Sequence, residues 1–82
     1  MISYIATFYS HFGAIRFARE LKKSGIIGKA MPVPRSLSAS CGTCVMFEAP
    51  ENWAPEDRHD EIEKVVRCTE TGYITVWQAD NG

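Results

Sequence analysis

The sequence has little net charge and no long apolar run. Its 82 residues carry nine Lys or Arg and ten Asp or Glu, which gives a formal net charge of −1. No basic field is therefore available to attract nucleic acid or an anionic membrane surface. No window approaches the ~20 consecutive apolar residues of a membrane-spanning helix. These absences predict that the partners include neither nucleic acid nor a membrane.

Cysteine is also scarce, with three residues and therefore an odd count. The first twenty residues, MISYIATFYSHFGAIRFARE, lack a basic leader followed by an apolar run, so they do not resemble a secretory signal. We therefore expect a cytoplasmic protein, in which thiols stay reduced. An odd number of cysteines also fits poorly with a secreted scaffold held together by disulfides.

Local patterns predict six elements in a single domain that spans residues 1–82. β-Branched and aromatic runs predict strands, and apolar residues at helical spacing predict helices. The predicted strands are 2–9, 26–33, 43–47 and 73–77, and the predicted helices are 11–23 and 59–69. The order β-α-β-β-α-β is that of the ferredoxin-like fold, an α+β arrangement in which a four-stranded antiparallel sheet carries two helices on one face.

This topology predicts which residues meet at one end of the sheet. Right-handed crossovers would bring the end of the first strand, the start of the third and the end of the second helix to the same edge. The residues expected there are Ser10, His11, Cys41, Cys44 and Cys68.

The segment PVPRSLSASCGTC, residues 32–44, places two thiols in the most turn-prone part of the chain. Cys41 lies between Ser40 and Gly42, where free backbone N–H groups can surround an anion. Such N–H groups, together with the positive charge of Arg35, would favour the thiolate of Cys41. The residues alone predict a nucleophilic or group-carrying thiol, and the alternative is a passive loop cysteine.

Two neighbours of Cys41 have two interpretations each. His11 begins the first helix and is either an acid or base beside the thiol or a half-solvated helix-start residue. Cys44 is either a small buried side chain of the third strand or a resolving thiol in a C-x-x-C pair with Cys41. A lone C-x-x-C is a weak signal for structural zinc, which takes four ligands. We therefore predict no metal site and no cofactor.

The last predicted strand carries aromatic residues that helices would not cover. Tyr73, Thr75 and Trp77 alternate along it and would share one face. An exposed face with Tyr and Trp predicts a partner surface or a homodimer through the open face of the sheet.

A further pattern covers most of the chain and is most specific from Pro32 to Gly42. It consists of a strand ending in Phe-x-Ser, a His and an Ala at the start of a helix, a Pro-x-Pro-Arg run, and serines before Cys-Gly. In these features the chain resembles the selenium/sulfur carrier protein-like family. The matching residues are Phe8, Ser10, His11, Ala14, Pro32, Pro34, Arg35, Ser38, Ser40, Cys41 and Gly42. Ala39 stands where the pattern has serine, and Cys44 is not part of the pattern.

The resemblance implies a thiol that receives selenium or sulfur as a persulfide or selenide and passes it on. Cys41 would take the cargo from a desulfurase or a selenium-delivery protein and hand it to an acceptor protein, with Ser40, Gly42, Arg35 and His11 around it. Such a protein is a carrier more than an enzyme. The residues leave two alternatives open: a thiol–disulfide redox or sensing module that uses Cys41 and Cys44, and a non-catalytic protein-interaction domain.

Overall fold

A five-stranded antiparallel sheet and one helix make up the fold. The computed structural model describes residues 1–79, with the elements β1 (Ile2–Phe8), α1 (His11–Lys23), β2 (Gly28–Pro32), β3 (Thr43–Ala49), β4 (Ile62–Thr69) and β5 (Gly72–Gln78). The strands lie in the order β2-β3-β1-β4-β5, and every neighbouring pair is antiparallel. β1 therefore lies at the centre, and the end of β1 is flanked by the starts of β3 and β4.

Helix α1 follows β1 after a two-residue connection, and its predicted bounds are confirmed. The Oγ of Ser10 accepts a hydrogen bond of 3.0 Å from the N–H of Gly13, which caps the first turn. Gly25, with φ +82°, follows the helix end in a conformation that glycine adopts without strain. Within residues 1–79, no helix has the length and apolar character needed to cross a membrane.

Apolar side chains form a cluster on each face of the sheet. On the face that carries α1, the helix-side cluster is built around Phe8, Phe17 and Phe47. On the other face, the far-side cluster consists of Ile5, Cys44 and Val66. Both faces of the central strands are thus buried, although only one is covered by a helix.

The predicted ferredoxin-like fold, with four strands and two helices, is wrong. The second predicted helix, 59–69, is replaced by strand β4, which pairs with β1 on one side and with β5 on the other. Residues 50–61 form no helix either. Instead, Oδ1 of Asp57 accepts hydrogen bonds from the N–H groups of Glu61 and Ile62 at the entry to β4.

A β-bulge explains why β4 resembled a helix in sequence. Ile62 pairs with Phe8, but Lys64 pairs with Thr7, so Glu63 is an extra residue on the β4 side. Because of this extra residue, Ile62 and Val65 face the helix side although they are three positions apart. A helix also places apolar residues three positions apart on one face. The spacing in a short apolar run therefore does not distinguish a bulged strand from a helix.

A second irregularity overturns the prediction that Tyr73, Thr75 and Trp77 share a face. In β5, Thr75 pairs with Val66 and Trp77 pairs with Val65, so the register shifts between them. As a result Tyr73 packs against the far-side cluster and Trp77 against the helix-side cluster. The face away from α1 is also partly covered by other side chains of the same chain, and a homodimer through it stays a prediction.

Candidate functional site around Cys41

The segment that joins β2 to β3, residues 33–42, is called the cysteine loop. The N–H of Val33 donates a 2.9 Å hydrogen bond to the carbonyl of Gly42, which closes the base of the loop. Val33 and Leu37 pack against the far-side cluster, whereas Cys41 packs against the helix-side cluster. The loop therefore passes around the end of the sheet and delivers Cys41 to the side on which α1 begins.

Cys41 is a half-buried free thiol whose S–H donates to the carbonyl oxygen of Thr43 at 3.4 Å. The hydroxyl oxygen of the same Thr43 lies 3.2 Å from Nδ1 of His11. The structure thus places His11 and Cys41 on either side of one threonine. A backbone carbonyl and a side-chain hydroxyl of Thr43 do not form a proton path, so His11 and the thiol are neighbours without a relay between them.

The backbone N–H groups next to Cys41 are already hydrogen-bonded. The N–H of Gly42 donates to the carbonyl of Ala39 at 3.3 Å, and the N–H of Ser40 donates to Oε1 of Glu63 at 3.1 Å. In the sequence-based prediction these two amides surround the sulfur. The thiol instead donates to a carbonyl oxygen, so charge on the sulfur has to be stabilised by groups other than these amides.

Gly42 has a role in the turn itself. Its φ is +74°, a left-handed conformation that residues with a side chain rarely adopt. A Cβ added at Gly42 would meet no atom within 4 Å, so backbone strain and not crowding is what requires glycine here. The glycine therefore sets the direction in which the chain leaves Cys41 and enters β3.

Glu63 is a neighbour of the site that no sequence pattern predicted. Its carboxylate binds Ser40, the residue directly before Cys41, through two hydrogen bonds. In the sequence Glu63 lies in an expected helix, and no local pattern signals a bulge or a contact 23 positions away. Only the pairing of β4 with β1 brings it to the end of the sheet.

Arg35 is exposed on the cysteine loop. Among residues 1–79, no ion pair or hydrogen bond ties its side chain to Cys41 or to another residue. Its guanidinium group is thus available to solvent or to a bound partner, and a direct effect on the thiol stays a prediction.

The other two thiols lie in the far-side cluster, away from the side on which Cys41 packs. Cys44 is fully buried, and its S–H donates to the carbonyl of Pro32 at 3.8 Å. Cys68 is half-buried on β4, which runs antiparallel to β1, so it lies toward the end where β1 begins. The expectation that Cys68 would join the site is therefore wrong, because the helix that would have carried it there is a strand.

Burial raises the pKa of the Cys44 thiol, and negative charge on Cys41 and then on Cys68 raises it further. Burial also raises the pKa of Cys68. A buried neutral thiol is a poor nucleophile, because the thiolate is the reactive form. These shifts favour Cys44 and Cys68 as packing residues.

The raised pKa of Cys44 predicts a loss of stability in alkali. Its contribution is fully present below the value of 9.0 for an unperturbed thiol and is lost as the pH rises through the higher folded pKa. The free energy of unfolding should therefore fall above about pH 9, and that of the Cys44→Ala variant should fall less steeply with pH. Urea denaturation of both proteins across this range measures the difference. Equal slopes of the free energy of unfolding against pH in the two proteins would contradict the assignment of this loss to Cys44.

Among residues 1–79, possible metal ligands do not gather around Cys41. Within the part of the chain that the structure describes, no group of three or more His, Cys, Asp and Glu residues could hold a metal ion. The C-x-x-C spacing does not change this, since Cys41 and Cys44 pack into different clusters.

Comparison with known proteins identifies the family. The model of the family described as "Putative Se/S carrier protein-like" matches residues 3–78, nearly the whole chain. The chain belongs to this family, which confirms the resemblance found in its sequence. No curated protein and no solved structure matches the chain.

Proposed function

We propose that the protein carries sulfur or selenium on Cys41 and passes it between a donor and an acceptor protein. The observation that carries the proposal is the contrast among its thiols. Cys41 lies half-buried on a loop at the end of the sheet, whereas Cys44 is fully buried within a strand. The family description names the cargo, and a carrier needs delivery partners.

The transfer step exchanges one sulfur–sulfur bond for another. The thiolate of Cys41 attacks the outer sulfur of a persulfide on the donor protein. A bond forms between Sγ of Cys41 and that sulfur, the S–S bond of the donor breaks, and the donor cysteine leaves as a thiolate. The step is a thiol exchange without net oxidation, and a donor that holds selenium on its cysteine would react in the same way. A thiolate of the acceptor protein then attacks the outer atom on Cys41, and Cys41 leaves as a thiolate.

The neighbours of Cys41 supply position and positive charge in this proposal. Ser40 and Gly42 hold the loop on either side of the thiol. His11 contacts the hydroxyl of Thr43 and so restrains the residue whose carbonyl accepts the hydrogen bond of the thiol. Arg35 is exposed and offers a positive charge to an incoming donor surface or anionic persulfide.

Intact-mass measurement tests the proposal. The protein is incubated with a cysteine desulfurase and cysteine, and we expect a mass increase of one sulfur atom that a reducing agent reverses. A selenium donor in place of cysteine should add one selenium atom in the same way. The control omits the desulfurase, because a mass increase without it would come from sulfane sulfur already present in the cysteine solution. If no adduct forms at any donor concentration, the carrier function is wrong.

The two alternatives predict different masses. A redox module of Cys41 and Cys44 would lose two hydrogen atoms on mild oxidation and would load no sulfur. A non-catalytic interaction domain would show neither change. The burial of Cys44 in the far-side cluster argues against the redox module.

A further inference from the structure

The bulge in β4 gives Glu63 an unusual position. As the extra residue between Ile62 and Lys64 it has no pairing partner on β1. Its backbone carbonyl is nevertheless fixed, because it accepts a 3.0 Å hydrogen bond from the N–H of Ala79 just after β5. Bulges redirect a side chain away from the regular alternation of a strand. In this bulge the carboxylate reaches the cysteine loop.

The carboxylate of Glu63 holds Ser40 at two points. Oε1 accepts the backbone N–H of Ser40 at 3.1 Å, and Oε2 accepts its hydroxyl at 2.7 Å. Both oxygens of one carboxylate are thus used by one residue. Hydrogen bonds to an ionised acceptor are shorter and stronger than neutral ones, and a two-point contact also restrains orientation.

Cys41 is held between this contact and the base of the loop. After Cys41 in the chain, the carbonyl oxygen of Gly42 accepts a 2.9 Å hydrogen bond from the N–H of Val33, which ties the loop to the end of β2. Before Cys41 in the chain, Ser40 is tied to β4 by its two hydrogen bonds to Glu63. The hydrogen bonds on the two sides of Cys41 lead to β2 and β4, which lie on opposite sides of β1. Cys41 therefore lies in a short segment that is held at both ends. Without Glu63, the residue directly before Cys41 loses its hydrogen bonds to β4.

We infer that Glu63 is a positioning residue that fixes Cys41 for transfer through its two hydrogen bonds to Ser40. The inference rests on the proposed carrier function. It predicts opposite effects on two reactions of the same sulfur. A small reagent should reach Cys41 faster when the loop is loose, because the thiol is half-buried in the fixed state. A donor protein should load Cys41 more slowly, because its persulfide has to meet the sulfur in a defined place.

The experiment compares Glu63→Gln, Ser40→Ala and Ser40→Thr with the wild-type chain. Peptide mass spectrometry follows alkylation of Cys41 by iodoacetamide, and intact mass follows its loading by a cysteine desulfurase. For Glu63→Gln we expect alkylation about fivefold faster and loading about fivefold slower, the factor that roughly 1 kcal/mol represents. Ser40→Ala, which keeps the N–H contact, should show smaller changes of the same signs. Ser40→Thr keeps the hydroxyl and the backbone N–H, and it should show wild-type rates.

The matched control is Glu70→Gln, the same substitution at an exposed residue after the end of β4. It should leave both rates unchanged. The double variant with Ser40→Ala and Glu63→Gln should change each rate by less than the two single variants combined, since both substitutions act on the same contact. Thermal unfolding of each variant identifies any rate change that comes from global destabilisation, and if Glu63→Gln does not fold, Ser40→Ala and its rescue by Ser40→Thr decide.

The inference is overturned if alkylation of Cys41 in Glu63→Gln and Ser40→Ala matches that in Glu70→Gln, whatever happens to loading. It is also overturned if alkylation and loading change in the same direction. If the wild-type chain takes up no sulfur but the alkylation rates still differ as expected, the carrier function fails while the restraint of Cys41 by Glu63 stands. The two failures are therefore distinguishable.

Discussion

Cys41→Ser loses sulfur loading by at least about a thousandfold, the order of loss expected when a nucleophile is removed. A serine hydroxyl stays protonated near neutral pH and would have no base in direct hydrogen-bond contact at this position. The fold should be unaffected, because Cys41 is half-buried and serine can keep the hydrogen bond to the carbonyl of Thr43. Intact mass after incubation with a desulfurase measures the loss, and circular dichroism checks the fold.

The matched controls are the other two thiols of the chain. Cys44→Ala and Cys68→Ala should load at wild-type rates, because their side chains lie in the far-side cluster. If Cys44→Ala folds and yet loses loading, loading needs both cysteines and the assignment of Cys44 as a packing residue is wrong. If Cys41→Ser still acquires a reducible sulfur atom, Cys41 is not the carrier thiol.

Phe8→Ala should remove about 3–5 kcal/mol from the free energy of unfolding. Phe8 is fully buried where β1 ends, its ring centroid is 5.2 Å from that of Phe17, and its neighbour across the sheet is Ile62. A domain of this size has a total stability of only about 4–12 kcal/mol. The variant is therefore expected to be partly or largely unfolded, and urea denaturation monitored by circular dichroism measures this.

The chain offers a control with the same chemical change. Phe12 lies on α1 with 65% of its surface exposed, and the guanidinium of Arg16 lies 4.8 Å from its ring centroid. Phe12→Ala should change the free energy of unfolding by about 0.5 kcal/mol or less. Equal losses at Phe8 and Phe12 would contradict the placement of Phe8 in the core.

The first half of the fold followed from local patterns. The run from Ile2 predicted β1, and the helical spacing of apolar residues predicted α1. Each of these signals lies within one element or directly beside it, so no long-range contact was needed to find it. The pattern around Cys41 led to the family in the same way, since it too is a run of neighbouring residues.

The strand β4 did not follow from local patterns, because its apolar spacing depends on pairing with a distant strand. Ile62 and Val65 share a face only because Glu63 bulges out of register with β1. A helix would place them on one face as well, and nothing near them in the chain distinguishes the two. The mistaken helix also moved Cys68 to the wrong end of the sheet and hid the contact of Glu63 with Ser40.

Residues next to one another in the chain thus specified β1, α1, the turn at Gly42 and the membership in a carrier family. The register of β4 and β5, the burial of Cys44 and the attachment of the cysteine loop to Glu63 were visible only in three dimensions. The physical reason is that helix periodicity, capping and turn conformation are properties of a few consecutive residues. Register and burial instead depend on which strands pair, and that choice is made by the whole sheet at once.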